Sequence, residues 1–111
     1  MTYGLSNKVI KKVTGVFQRF PQVKEVILYG SRAKGNYREG SDIDLTLKGD
    51  HIDLSVLNHI SAQIDELLLP YTFDFSMYHS IGDQELLNHI QRVGVVFYQR
   101  GGGIHSGIEP R

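Results

Sequence analysis

The chain contains no cysteine, which excludes disulfides, thiolate metal sites and cysteine nucleophiles. It also has no surplus of either charge, since 12 Lys and Arg residues balance 12 Asp and Glu residues. Proteins that grip long nucleic acid usually carry a basic surplus, so this balance argues against an extended nucleic-acid surface. No signal-peptide pattern and no apolar run of about 18 residues occurs, so we expect a cytoplasmic protein without a membrane segment.

Hydrophobic periodicity divides the 111 residues into alternating helices and strands of what we expect to be one domain. The pattern predicts helices over residues 6–19, 31–35, 53–68 and 83–93, and strands over residues 23–29, 41–48, 71–78 and 95–98. We assign residues 1–100 to this domain. Residues 101–111 contain four glycines and one proline and are predicted to be a flexible C-terminal tail.

The most informative motif is a Gly-Ser pair followed, after ten residues, by an Asp-x-Asp sequence. Gly30-Ser31 ends an apolar strand, and a strand-to-helix turn of this kind has free backbone amides that suit a phosphate. Asp42 and Asp44 are two positions apart, so in a strand their side chains leave by the same face. Two such carboxylates repel each other unless a cation binds between them. The motif therefore predicts a phosphate turn beside a divalent-metal site.

A third carboxylate is predicted on the polar face of the next strand, at Asp74. If that strand pairs beside the Asp-x-Asp strand with polar faces matched, the three carboxylates can hold two Mg²⁺ ions about 3.5–4 Å apart. The alternative is that all three are ordinary solvated side chains at the edge of a sheet. The five histidines lack metal-ligand spacing and are expected to be surface or hydrogen-bonded polar residues.

Taken together, these motifs resemble the signature of the DNA polymerase beta-like nucleotidyltransferase superfamily. Within it, the sequences Gly-Ser-Arg-Ala-Lys-Gly and Ser-Asp-Ile-Asp-Leu resemble the minimal nucleotidyltransferase (MNT) branch. The resemblance and the pattern of elements imply an α/β (α+β) fold. We expect a mixed sheet of about four strands, with helices packed on one main face and the other face open for substrate.

The resemblance implies a role for each acidic residue. Asp42 and Asp44 would ligate both Mg²⁺ ions, and Asp74 would share one ion and orient or deprotonate the attacking hydroxyl. The hydroxyl would then attack the α-phosphorus of ATP, and pyrophosphate would leave.

The resemblance also implies a nucleotide-binding turn. Ser31 and the backbone after Gly30 would hold the triphosphate, and Arg32 and Lys34 match basic positions that neutralise phosphate charge. A simpler alternative is a plain turn with Ser31 as a helix cap and both cations solvated.

No motif identifies the acceptor, and we expect a chain of this length to be too short for a separate acceptor-binding domain. MNT proteins resemble one half of a two-protein system whose partner is a small all-helical HEPN-type protein. The implied role is that of an antitoxin that transfers AMP from ATP to a tyrosine of this partner. The alternatives are an antitoxin that silences the partner by binding alone, and transfer to a small-molecule acceptor in a site completed by a partner subunit. The sequence also leaves a homo-oligomer open.

Overall fold

The structure is a computed structural model that describes residues 2–101. The predicted tail lies, apart from Gly101, outside the described residues. The elements are helices α1 (Asn7–Gln18), α2 (Ser31–Lys34), α3 (Leu54–Asp65) and α4 (Gln84–Val93), strands β1 (Val23–Tyr29), β2 (Ile43–Gly49), β3 (Phe73–Met77) and β4 (Val95–Gln99), and a 3₁₀ turn (Tyr78–Ser80). Every predicted element is therefore present, although β2 and β3 each begin two residues later than expected and α3 ends three residues earlier.

Capping side chains explain where the longer helices begin. The Ser6 hydroxyl accepts a hydrogen bond from the Val9 amide at 3.2 Å, and the Asp53 carboxylate accepts one from the Val56 amide at 3.0 Å. Each cap satisfies a backbone donor that has no partner within its helix. Local sequence thus determines these helix starts.

The four strands form one mixed sheet in the order β3-β2-β1-β4. Strand β1 is antiparallel to both β2 and β4, whereas β2 and β3 are parallel. The predicted mixed four-stranded sheet is confirmed. The central position of β1 explains its apolar sequence, because a central strand has neighbours on both edges and its two faces are both covered.

Helices α1 and α3 pack on the first face of the sheet, as expected. Their main core includes Phe17, Ile60, Val26, Leu28 and Leu45, all 0% exposed. No helix among residues 2–101 is long and apolar enough to cross a membrane.

Helix α4 departs from the prediction that the helices lie on one face. Ile90 of α4 packs in a separate, smaller cluster with Ile27 and Tyr29, which alternate with Val26 and Leu28 and therefore project from the second face. The physical reason is that β1 is apolar on both faces, so its second face also needs cover. The second face is consequently covered over β1 by α4, whereas on β3 the side chain of Asp74 remains exposed.

Phe17 offers a test of the main core. Its ring is 0% exposed and lies 6.5 Å from the Phe75 ring and 5.8 Å from the Tyr98 ring, measured between centroids. We expect Phe17→Ala to lower the free energy of unfolding by about 3–5 kcal/mol, because it removes buried apolar surface and leaves a cavity. Urea denaturation measures the change. The control is Val96→Ala at a 51% exposed position, which should change stability by no more than about 0.5 kcal/mol. Equal losses for the two variants would contradict this core.

Candidate active site

The turn between β1 and α2 can be made only by glycine. Gly30 has φ +77° and ψ −158°, a region that residues with a Cβ avoid. A Cβ at this position would also overlap the side chain of Asp44, with the carboxyl carbon only 3.2 Å away. Gly30 itself is the N-cap of α2, and Ser31 is its first residue. The alternative that Ser31 caps this helix is therefore wrong.

The strand register brings two of the predicted carboxylates together. Asp44 on β2 lies directly beside Asp74 on the neighbouring strand β3. On its other side, Asp44 pairs with Tyr29 of β1. The expected pairing of the Asp-x-Asp strand with the next strand, polar faces matched, is confirmed. Asp42 precedes β2 and is exposed, so it lies at the entrance to the strand rather than within its ladder.

Electrostatics show that the three carboxylates interact. Burial raises the pKa of Asp44, and the charges of Asp74 and Asp42 raise it further. The ionised form of Asp44 is therefore disfavoured in the metal-free chain. A nearby cation would remove this penalty.

A divalent cation fits this cluster by its donor chemistry. Carboxylate oxygens are hard ligands of the kind that Mg²⁺ prefers, and Mg²⁺ fills its remaining positions with water or substrate phosphates. Within residues 2–101, no group of three or more His, Cys, Asp or Glu side chains is arranged to hold a metal ion. Asp42 and Asp74 are exposed, so their side chains have room to turn. The two-ion site stays a prediction.

Tyr29 is a buried residue of this site that the sequence pattern did not single out. Burial raises the pKa of its phenol, the charges of Asp74 and Asp44 add to the rise, and the Ser76 hydroxyl offsets part of it. The phenol therefore stays protonated at neutral pH and can act as a hydrogen-bond donor near the carboxylates. Its place at the end of an apolar run made it indistinguishable from core, and only the cross-strand register with Asp44 reveals it.

His89 is a second residue that sequence reasoning missed. Its Nε2 accepts a hydrogen bond from the Gly30 amide at 3.2 Å, and its ring meets Tyr29 edge-on with 6.2 Å between centroids. It is a hydrogen-bonded polar residue, as predicted for the histidines, but it lies at the phosphate turn. It comes from α4, 59 residues away in sequence, so no local pattern indicates the contact.

The contact of His89 with the turn leads to a prediction. His89→Phe keeps a ring against Tyr29 but cannot accept the Gly30 hydrogen bond. We expect it to lower the free energy of unfolding by about 1 kcal/mol and to speed solvent exchange of the Gly30 amide, because a part-buried donor loses its partner. Hydrogen exchange followed by NMR measures this, with His59→Phe at an exposed position of α3 as the control. Unchanged exchange at Gly30 would contradict the hydrogen bond.

The two basic residues of α2 point in different directions. Lys34 is exposed, whereas Arg32 is buried, with only 3% of its surface accessible. The Arg32 guanidinium donates to the backbone carbonyls of Ser41 and Tyr3. A phosphate contact by Arg32 stays a prediction, and its observed partners belong to the protein itself.

Comparison with known proteins places this geometry in a family. The family model described as "Polymerase beta, Nucleotidyltransferase" matches residues 11–101. A search of curated proteins finds no match.

Several solved structures share the fold. A crystal structure of a toxin–antitoxin complex with AMP-PNP has a TM-score of 0.66 at 18% identity, over 89% of this chain and 77% of that one. A tri-AMPylated Shewanella oneidensis HEPN toxin in complex with MNT antitoxin has a TM-score of 0.63 at 14% identity, over 86% and 73%. A toxin–antitoxin structure of MntA-HepT has a TM-score of 0.62 at 14% identity, over 85% and 73%. At these identities the likeness shows the fold alone.

Proposed function

The chain is a nucleotidyltransferase of the polymerase beta family, and from that premise we propose that it transfers AMP from ATP to a tyrosine hydroxyl of a small all-helical HEPN-type partner. The observation that carries the proposal is the placement of Asp44 beside Asp74 and against the Gly30 turn. This arrangement puts the Gly30 turn and a carboxylate pair at one end of the sheet. Backbone amides that can bind phosphate and carboxylates that can bind metal ions suit chemistry at a phosphoryl group.

The nucleotide would bind at the turn after β1. The Gly30 amide and the Ser31 hydroxyl would donate hydrogen bonds to phosphate oxygens, and the glycine lets these oxygens approach the backbone closely. The Gly30 amide would exchange its hydrogen bond with His89 for one with phosphate. The exposed cation of Lys34 would lower the electrostatic cost of the triphosphate charge.

The carboxylates would carry the chemistry. Asp42, Asp44 and Asp74 would hold two Mg²⁺ ions, which supply charge stabilisation at the phosphoryl oxygens and a lowered pKa for the acceptor hydroxyl. Asp74 is exposed on the edge strand β3, where an incoming hydroxyl can reach it, and would accept the hydroxyl proton. The acceptor oxygen forms a bond to the α-phosphorus, the bond from that phosphorus to the bridging oxygen breaks, and pyrophosphate leaves.

The choice of acceptor rests on what resembles this chain. Three structures of similar fold are toxin–antitoxin complexes, and one of them contains an AMPylated HEPN toxin. That likeness supports a protein acceptor and an antitoxin role. It is the reason that a HEPN-type protein is the acceptor to test first.

The test is to incubate the purified chain with labelled ATP, Mg²⁺ and a HEPN-type protein encoded by the neighbouring reading frame. Intact mass should show one or more AMP units added to that protein. Asp42→Asn/Asp44→Asn should abolish the mass gain, while Asp50→Asn/Asp65→Asn, at two exposed positions outside the cluster, should retain it. If the wild type and Asp42→Asn/Asp44→Asn bind and silence the partner equally well, with no mass change, the chain is an antitoxin that acts by binding alone.

A further inference from the structure

Arg32 carries a buried positive charge whose hydrogen-bond partners are backbone carbonyls and not a carboxylate. Its guanidinium donates from Nε and Nη2 to the Ser41 carbonyl, at 3.1 and 2.9 Å, and from Nη1 to the Tyr3 carbonyl at 2.9 Å. The rings of Tyr37 and Tyr71 flank it, each with its centroid 5.3 Å from the guanidinium carbon. Within residues 2–101 the one ion pair joins two other side chains. Three of the five N–H donors of the guanidinium are therefore used by the protein itself, and only 3% of the residue is accessible.

The contacts of Arg32 connect the two motifs of the candidate site. In sequence, Arg32 follows Ser31 of the phosphate turn, and the carbonyl that it binds belongs to Ser41, the residue before Asp42. The loop between them closes with two further hydrogen bonds, from the Ser41 amide to the Arg38 carbonyl at 3.0 Å and from the Arg38 amide to the Ser41 hydroxyl at 2.9 Å. Arg32 thus links the turn after Gly30 to the backbone of the residue that precedes Asp42.

Asp42 needs such a link because β2 begins only at Ile43. The Ile43 amide bonds to the Thr72 carbonyl at 2.9 Å, so the backbone is tied to the sheet from Ile43 onward. The exposed Asp42 precedes that point, and its backbone position depends on what holds Ser41. A guanidinium that donates two N–H groups to one carbonyl fixes both the distance and the orientation of that carbonyl. A lysine ammonium cannot reproduce this geometry.

We infer that Arg32 is a positioning residue, which fixes the Asp42 carboxylate relative to the phosphate turn and does not bind phosphate itself. The inference rests on the proposed function, because it assigns Asp42 to metal binding. Loss of this support should weaken metal binding more than nucleotide binding, as happens when outer residues that orient a metal ligand are replaced.

The alternative is that Arg32 contacts the phosphates of the nucleotide directly. A cavity of about 470 Å³ opens beside the guanidinium and is lined in part by Tyr37, Arg38, Pro70 and Tyr71. This cavity gives a nucleotide a route to Arg32. Metal-free nucleotide affinity distinguishes the two roles, because a positioning residue leaves it unchanged and a phosphate ligand does not.

Arg100 provides a matched control. Its guanidinium also binds backbone carbonyls, those of Val23, Phe17, Gln18 and Phe20, and lies 5.9 Å from the centroid of the Tyr98 ring. Val23 is the first residue of β1, so these hydrogen bonds of Arg100 lie at the opposite end of the strand from Gly30. Arg100→Lys therefore removes a similar structural contact away from the candidate site.

The experiment measures five quantities for the wild type, Arg32→Lys and Arg100→Lys. They are kcat, the Mg²⁺ concentration for half-maximal rate, Mn²⁺ affinity by calorimetry with a non-hydrolysable ATP analogue, affinity for that analogue without metal, and the melting temperature. For Arg32→Lys we expect kcat and Mn²⁺ affinity to fall by about 10–100-fold with metal-free affinity unchanged. Arg100→Lys should change the melting temperature alone. Tyr37→Leu, which removes one flanking ring and keeps the arginine, should shift Mn²⁺ affinity in the same direction and covers the case in which Arg32→Lys fails to fold.

Three results would overturn the inference. Loss of metal-free nucleotide affinity in Arg32→Lys would make Arg32 a phosphate ligand, and a stability loss with unchanged metal affinity and rate would make it merely structural. Absence of transfer in the wild type, with Mn²⁺ affinity still sensitive to Arg32, would refute the proposed function and leave the positioning role standing. Absence of metal binding in the wild type would refute both.

Discussion

Asp44→Asn is expected to abolish nucleotidyl transfer while making the metal-free protein more stable. The rate should fall by about 10³-fold, because metal ligation contributes several kcal/mol to the transition state and each 1.36 kcal/mol is a factor of ten. Stability should rise because the neutral amide removes a carboxylate that is disfavoured by burial and by the charges of Asp74 and Asp42. Labelled-ATP transfer measures the first effect, and thermal unfolding in EDTA measures the second.

The sign of the pH dependence follows from the raised pKa of Asp44. Its ordinary pKa is 3.8, and in the folded chain it is higher, so between these values the folded chain binds more protons than the unfolded one. The contribution of Asp44 to stability is therefore most favourable below its ordinary pKa and decreases as pH rises through the folded-state pKa. Asp44→Asn should remove this slope from a plot of melting temperature against pH in EDTA.

Adding Mg²⁺ distinguishes the effect of metal binding on the melting temperature from the effect of repulsion between the carboxylates. A ligand that binds only the folded state at about 100 times its Kd stabilises it by about 2.7 kcal/mol. Mg²⁺ should therefore raise the melting temperature of the wild type at neutral pH and raise that of Asp44→Asn much less. Asp50→Asn, at an exposed position after β2, should behave as the wild type. A metal-free Asp44→Asn protein that melts below the wild type would contradict the repulsion described here.

Gly30→Ala is expected to reduce both stability and transfer. The backbone conformation at this position costs a residue with a Cβ about 1–3 kcal/mol, and the methyl group would also overlap the Asp44 side chain. For a domain of this size each kcal/mol corresponds to about 4–8 °C in melting temperature. Displacement of a catalytic group by about 1 Å can lower the rate by about 10²-fold, so the loss of transfer should exceed what the unfolded fraction explains.

Gly35→Ala is the matched control for this effect. Gly35 also has a positive φ, +90°, but no atom lies within 4 Å of the position that its Cβ would take. The substitution should lower stability by about 1–2 kcal/mol through backbone strain alone. Transfer per folded molecule should be unchanged. If both glycine variants lose activity equally, close approach of Gly30 to Asp44 is not what the site requires.

The faces of individual elements could be predicted from sequence. Strict alternation over β3 predicts that Asp74 projects from the polar face, and the spacing of Asp42 and Asp44 predicts a shared direction. The register confirms that Asp44 and Asp74 are neighbours. The prediction for Asp44 and Asp74 succeeds because side-chain direction in a strand is a property of the local backbone. Asp42 precedes β2, so its shared direction with Asp44 stays a prediction.

The tertiary structure decided what covers each face. Helix α4 was expected beside the other helices, but it packs over Ile27 and Tyr29 and thereby brings His89 to the Gly30 amide. Its periodicity indicates an apolar stripe and carries no information on which face of the sheet receives that stripe. The choice depends on the second apolar face of a central strand, a property of the assembled sheet.

Arg32 shows, at a single residue, the same division between what the sequence predicts and what the tertiary structure decides. The sequence by itself determined the Gly-Ser turn, the Asp-x-Asp strand and their spacing, because each depends on a few adjacent residues. Only the tertiary structure decided that Arg32 turns inward. Burial of its charge requires carbonyls and rings from Tyr3, Ser41 and Tyr71, which are brought together when the N-terminal segment and the approaches to β2 and β3 pack against one another.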